Sequence, residues 1–404
     1  ARRPCSPPGR WRSRFMKICH VITRMIVGGA QENTLYTLLG HREHGHDATL
    51  VTGPSAGPEG KLLQQCRVPD LKIITEPNLV RPLHPIRDIA AYRSLRRLFV
   101  KEQYDIVHTH SSKAGIIGRL AATSAGVPVV VHTIHGQAFH PYESWWRNRI
   151  YIAAERFAAR RCDRIFAVAT AMISQCVDSK VADCEKYRTI YSGMELEPFA
   201  DTAPDPELAR RLGLRPGSVV VGKIARLFEL KGYAFLLQAA PKIIEAAPNA
   251  QFLIVGDGDL RPALEAEIRR LGMTEYFVFA GLVAPAEIPQ YTALMDLLVH
   301  LSLREGLPRS VVQAQAAGKP VVGFDLDGTP EIIQDGKTGF LCPAENVDAV
   351  ADGVVRLLKD GDLRQRLGAA GQERARQWDW RVMVDAIETE YTQLLAAKQS
   401  SPTP

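Results

Sequence analysis

Short apolar runs punctuate the chain, each followed by a polar or glycine-bearing turn and then a stretch with helical spacing. In the first half they lie at residues 17–23, 48–52, 71–74, 106–108, 129–133 and 165–168. A second series occupies 219–225, 251–255, 278–282, 297–301 and 321–324. Runs this short, apolar at successive positions, predict strands of a parallel sheet covered by helices on both faces. Helical patterns fall at 32–39, 114–123, 145–164, 233–246, 310–317, 347–358, 363–378 and 381–398. Alternating β and α in this way implies doubly wound sheets. A polar, proline-bearing stretch at 201–206 separates the two series, so the expected class is α/β with two domains.

Composition changes that picture little. The 404 residues are 46% hydrophobic and 23% charged, ordinary for a globular chain. No apolar run reaches the roughly 18 residues of a membrane span, and no secretory signal is expected. Seven scattered cysteines without a Cys-x-x-Cys fit a reducing cytoplasm rather than a disulfide framework or a zinc site. Charge is more informative. Residues 1–15 carry five arginines and no acid, and are expected to be a disordered tail that precedes the fold. Residues 16–192 hold 23 basic against 15 acidic side chains, and the rest of the chain is acidic. A basic first half suits an anionic membrane or a phosphorylated acceptor, or is dispersed solubilising charge. No nucleic-acid partner is expected.

Candidate chemistry sits where strands end. Gly28, Gly29 and Ala30 lie between a strand and a helix, where glycine lets backbone approach a ligand. His110 and Lys113 follow a strand in HTHSSKAG, and His135 follows another in HTIHG. The spacing matches no metal-ligand motif, so these groups are read as hydrogen-bonding groups and no metal is expected. Residues 145–164 place Trp146, Ile150, Ala153 and Phe157 at helical spacing among arginines. This is either a membrane-surface helix or an amphipathic helix packed on its own sheet. Arg226 and Lys231, five residues apart across a strand end and a helix start, suit a diphosphate. Two Asp-x-Asp runs, 257–259 and 325–327, are discounted as metal sites because that cation pair already neutralises a diphosphate. Glu305, in a Gly-Pro turn after residues 297–301, places a carboxylate at the carboxyl end of a strand.

Four features together resemble the family 4 retaining glycosyltransferases of GT-B fold. They are Gly28-Gly29-Ala30; RLFELKG from Arg226; GDGDLRPALE from Gly256; and Glu305-Gly306-Leu307-Pro308 with AAGKPVV and Gly328-Thr329-Pro330-Glu331. SSKAGIIGRLAA from Ser111 and HTIHG look like members that build exopolysaccharide or lipid-linked glycans. The resemblance implies two facing Rossmann-like domains with parallel sheets. Residues 16–193 with 380–398 would form the acceptor side and residues 194–379 the nucleotide-sugar side. It assigns Arg226 and Lys231 to the diphosphate, and Glu305 to the donor sugar. Gly306, Leu307 and Pro308 would lie beside the donor, and His135 would meet the sugar from the opposite wall. Gly281, Leu282 and Val283 would line the base.

What the resemblance implies for function is transfer of a hexose from a UDP-, GDP- or other nucleoside-diphosphate sugar, with retention and no required cofactor. The acceptor would be a hydroxyl or a lipid diphosphate, the setting the cytoplasmic face of a membrane. Gln313 stands where the family commonly has a ribose-binding glutamate, so its hydrogen bond would lack charge assistance. Asp327 stands where a glycine is usual, and its carboxylate is expected to point away from a diphosphate. The alternatives are a sugar-nucleotide 2-epimerase-like enzyme and an inactive nucleotide-sugar-binding protein.

Overall fold

The computed structural model describes residues 15–26, 28–55 and 71–400. Nearly all of the expected amino-terminal tail and the last four residues lie outside them. Thirteen strands are described, and they form two sheets.

The first sheet has seven strands in the order β3-β2-β1-β4-β5-β6-β7. They are β1 (Lys17–Ile22), β2 (Asp47–Thr52), β3 (Lys72–Thr75), β4 (Ile106–His110), β5 (Val129–Ile134), β6 (Arg164–Ala167) and β7 (Tyr187–Thr189). The pairs β1–β2, β1–β4, β2–β3 and β4–β5 are parallel. β1, β4 and β5 are buried along nearly their whole length, as their Val and Ile positions lead one to expect, and they bury histidines as well. The second sheet has the order β10-β9-β8-β11-β12-β13. Its strands are β8 (Val219–Ile224), β9 (Ala250–Val255), β10 (Phe277–Gly281), β11 (Leu297–His300), β12 (Val321–Phe324) and β13 (Gly339–Cys342). All five of its pairings are parallel. In both sheets the first strand of the series lies inside the order, so the chain reverses direction across the sheet at β1/β4 and at β8/β11. A doubly wound sheet binds ligands in the crevice at such a point.

The chain forms two compact units. One comprises Ala1–Thr133, Arg149–Ile165 and Val384–Pro404; the other comprises Ile134–Asn148 and Phe166–Met383. In the first, the helix Gly29–Glu43 packs Leu35 and Leu38 with Ile22, Met25, Ala48 and Leu50. In the second, one face of the sheet is covered by the helices Tyr233–Ala246 and Val347–Lys359, through Leu236, Ile243, Val350 and Val354 among others. Val311, Val312 and Ala314 of the helix Arg309–Ala316 belong to a second apolar cluster that also holds Trp378. The chain breaks after the 3-10 turn Arg376–Trp378 and restarts in the helix Trp380–Ser400.

One of the two readings of residues 145–164 gains no support here. The helix Trp145–Ala159 buries only Ala158 and Ala159 fully, while Trp145, Trp146, Ile150 and Phe157 are exposed. Its apolar stripe faces solvent.

Candidate functional site

The loop after β8 carries Arg226 and Lys231 and enters the helix Tyr233–Ala246 at Gly232. Gly232 has a φ of +71°, and a Cβ there would stand 1.8 Å from the Leu301 carbonyl oxygen. Glycine is therefore needed for this loop to press against the loop after β11. The Leu303 amide donates to the Leu230 carbonyl at 2.8 Å, joining the two loops. Both leave the sheet at the β8/β11 reversal.

That approach pairs two of the expected residues. Lys231 Nζ donates to Glu305 Oε1 at 2.5 Å. Burial raises the Glu305 carboxyl, but the Lys231 ammonium, hydrogen-bonded to it, outweighs burial, and the net shift is downward. Glu305 is ionised at neutral pH. His300, at the end of β11, places Nε2 3.8 Å from the same carboxylate oxygen. That nitrogen is buried without a hydrogen-bond partner. Burial lowers the His300 pKa to about 4, so the ring is neutral. Arg226 is exposed, with its guanidinium 4.9 Å from the Phe228 ring centroid.

The Glu305 loop is held from behind. Asp327 Oδ2 accepts from the Glu305 amide at 2.8 Å, and Oδ1 accepts from Gln175 Nε2 at 2.9 Å. Asp327 has a φ of +52°, a conformation that favours glycine or a short polar side chain. Its carboxylate is turned onto the loop backbone. Gly306 packs closely, since a Cβ on it would lie 3.0 Å from the His135 carbonyl oxygen. Gly328 packs closer still, at 2.1 Å from the Gly306 oxygen by the same measure. Arg304 donates to the Gln137 carbonyl. His135 itself is partly buried, and burial followed by the nearby Arg309 charge lowers its pKa to about 3. A neutral imidazole is suited to hydrogen bonding and not to acid catalysis. Leu307 is buried, Pro308 precedes the helix Arg309–Ala316, and Gln313 is partly exposed on that helix.

Other expected residues lie apart. Gly281 ends β10 with a φ of +73°, Leu282 is 81% exposed and Val283 is partly buried. β10 is two strands from β8. Gly28 precedes the helix Gly29–Glu43 in extended backbone, with Ala30 in its first turn. His110 is fully buried, its Nε2 3.0 Å from His20 Nδ1. Lys113 pairs with Asp88 at 2.6 Å and also donates to the Pro82 carbonyl.

Spacing alone did not reveal two groupings. Lys223 is buried within β8 and its charge reaches Lys231 and Glu305. The signal was visible as a lysine in the otherwise apolar VVVGKI. The other grouping is His20, His108 and His110, whose ring nitrogens gather within 4.8 Å. His108 is hydrogen-bonded on both sides, 2.5 Å from the Tyr391 hydroxyl and 2.6 Å from Thr133 Oγ1. Burial holds His20 well below the usual histidine range. The three rings share a buried hydrogen-bonded cluster. Strand register brings His20 opposite His108, a contact that no sequence spacing encodes.

The site can now be set beside known proteins. Residues 205–374 match the family described as glycosyl transferases group 1, and residues 27–198 match glycosyltransferase family 4. One relative is the UDP-Gal:alpha-D-GlcNAc-diphosphoundecaprenol alpha-1,3-galactosyltransferase of Escherichia coli. It is 32% identical over 351 residues, covering 85% of this chain and 88% of the relative. A second is a GDP-mannose-dependent alpha-(1-6)-phosphatidylinositol monomannoside mannosyltransferase of Mycobacterium tuberculosis, 31% identical with the same coverage. Among solved structures, Anabaena HepE in complex with UDP superposes with a TM-score of 0.77 at 24% identity, covering 94% of this chain and all of that one. A sucrose-phosphate synthase from Thermosynechococcus elongatus gives 0.82 at 19%, covering 95% and 100%. These likenesses, with the two parallel sheets, give the fold as GT-B.

Proposed function

We propose, on the premise that this chain belongs to glycosyltransferase family 4, that it moves a hexose from a nucleoside-diphosphate sugar to an acceptor with retention at the anomeric carbon. The observation that carries the reading is the Lys231–Glu305 pair at the β8/β11 reversal, on the loop that also bears Arg226. In this reading Arg226 and Lys231 take the donor diphosphate. Glu305 takes sugar hydroxyls, with the amides of Gly306 and Leu307 and residue Pro308 alongside, and His135 adds a neutral hydrogen bond to the sugar. Gln313 takes the ribose, and Gly281, Leu282 and Val283 the base. Gly28, Gly29 and Ala30 also take part in donor binding, and His110 and Lys113 serve the acceptor side. Residues 16–193 with 380–398 act as the acceptor domain and 194–379 as the donor domain.

The reaction would proceed as follows. The anomeric carbon–oxygen bond breaks and its electron pair leaves on the diphosphate, whose growing charge Arg226 and Lys231 stabilise. The acceptor oxygen bonds to the same face, and its proton passes to the departing phosphate oxygen. No cofactor or metal is required in this scheme.

The acceptor is a hydroxyl or a lipid diphosphate, and the product a bacterial cell-surface glycan or glycolipid. Two relatives support that acceptor class, one named for a diphosphoundecaprenol-linked substrate and the other for a phosphatidylinositol monomannoside. No described helix is long and apolar enough to cross a membrane. Contact with a cytoplasmic leaflet would be peripheral, through the exposed Trp145–Ala159 helix and its arginines.

A screen of UDP- and GDP-sugars by thermal shift tests the reading. One donor class is expected to raise the melting temperature, because a ligand that binds only the native state stabilises it. Proton NMR of the product is expected to show the donor's anomeric configuration. An inverted product removes retention. An epimerised nucleotide sugar from donor alone favours the epimerase alternative.

A further inference from the structure

The helix Thr170–Asp178 has no part in the chemistry proposed above, yet the Glu305 loop is fastened to it at several points. Its first amides receive no cap from their own segment. Glu331 spans them instead, Oε2 accepting from the Thr170 amide and Oε1 from the Ala171 amide, each at 2.9 Å. A carboxylate there satisfies orphan amides and meets the positive end of the helix. Further along, Gln175 Nε2 donates to Asp327 Oδ1 at 2.9 Å, and Asp327 Oδ2 accepts from the Glu305 amide at 2.8 Å. Two glycines fit against the same element. A Cβ on Gly306 would lie 3.2 Å from Met172 Sδ, and one on Gly328 would lie 3.1 Å from the Ala169 Cβ.

The segment that carries His135 is tied to this helix as well. Gln137 Nε2 donates to the Met172 carbonyl at 2.8 Å and reaches Cys176 Sγ at 3.1 Å. The Gln137 carbonyl accepts from Arg304, the residue before Glu305. These bonds close a ring. It runs from Glu305 through Asp327 and Gln175 into the helix, from Met172 to Gln137, and through Arg304 back to Glu305. His135 stands beside the Gln137 corner, and Glu331 pins the amino end of the helix. All of these residues belong to one compact unit. A single hydrogen bond contributes little, but a ring holds its corners at one spacing only while every link is made.

We infer that Gln137, Gln175 and Glu331 are positioning residues for the donor sugar: through the helix Thr170–Asp178 they hold His135 and Glu305 at the spacing that grips a hexose. The inference rests on the donor-site reading above, which gives both of those groups to the sugar and the diphosphate to Arg226 and Lys231. The two cations lie on the loop after β8, outside the ring. Opening the ring therefore separates recognition of the sugar from recognition of the diphosphate. A displacement of about 1 Å at a reacting group is enough to cost a large factor in rate.

The test measures binding of UDP, GDP and the nucleotide sugar that the wild type accepts to Gln137→Ala, Gln175→Ala and Glu331→Ala in the full chain, with kcat and melting curves on the same samples. Each variant is expected to bind the nucleoside diphosphate within about twofold of wild type. Each is expected to lose about fivefold of the extra affinity that the sugar confers and about tenfold in kcat. Gln175 is exposed, so Gln175→Ala opens the ring without disturbing the interior and gives the answer where the other two variants melt early. Glu331→Gln, which still accepts from one of the two amides, recovers most of the kcat. Gln137→Ala combined with Gln175→Ala loses little more than either alone, because a ring already open is not opened again. A wild-type sugar increment and kcat in Gln175→Ala overturn the inference. So does a loss shared equally by nucleoside diphosphate and nucleotide sugar, the signature of a structural residue, and so do losses that add in the double variant. If the wild type itself binds no nucleoside diphosphate, the donor-site reading fails, and the ring loses its role with it; intact wild-type binding separates the two failures.

Discussion

Glu305 must be ionised, fixed in place and yet able to release its partner. Ionisation comes from the Lys231 ammonium against the opposing effect of burial. Placement comes from Asp327, whose carboxylate accepts the Glu305 amide proton at 2.8 Å. Removing that acceptor leaves a partly buried amide unsatisfied at the donor loop. Asp327→Ala is expected to lower kcat/KM about tenfold with the fold retained, and Asp327→Asn, which still accepts and tolerates positive φ, to keep most of the activity. Steady-state kinetics beside a thermal melt decide this; equal losses in both variants would mean that charge and not the hydrogen bond matters. At this scale the sequence was informative in part. Arg226, Lys231 and Glu305 stood out in the sequence as strand-end cations and a carboxylate in a Gly-Pro turn, and the structure brings Lys231 onto Glu305. The role of Asp327 was not readable, because it depends on a left-handed turn aimed at an amide 22 residues away. Lys223 stood in plain view, but its burial inside β8 was not legible from the sequence.

The helix Trp145–Ala159 shows where periodicity is ambiguous. The spacing of Trp146, Ile150, Ala153 and Phe157 establishes a stripe but not which way it faces, and here it faces out. An exposed aromatic and aliphatic stripe among Arg147, Arg149 and Arg160 has the composition of a helix that lies on an anionic bilayer. Trp146→Glu and Ile150→Glu are expected to change stability by less than about 0.5 kcal/mol, as exposed substitutions do. The same variants should lose binding to phosphatidylglycerol vesicles in a sedimentation assay, and wild-type binding should weaken with salt. Destabilisation by about 2 kcal/mol or more would instead mean that the stripe is packed in the native chain. Other elements were read closely: the helix Tyr233–Ala246 and the strand Val321–Phe324 have the expected bounds. β7 and β13 escaped, since strands of three and four residues carry too little pattern to stand out.

For the whole molecule, two series of buried strands were enough to imply two parallel sheets, because only sheets covered on both faces need side chains apolar at every position. Strand order was not legible. It places β8 beside β11 across about 70 residues of sequence, and this adjacency brings Lys231 to Glu305. The GT-B fold and family membership hold for the chain as a whole, whereas the proposed donor site is tied to that one reversal point. The most direct measurement is calorimetric binding of the preferred nucleotide sugar to Arg226→Ala and Lys231→Ala, with transfer rates and melting curves on the same samples. Each variant is expected to melt cooperatively and to lose at least about a hundredfold in transfer, the scale on which removing a preorganised charge is felt. Near-normal binding and turnover in both variants would contradict the account.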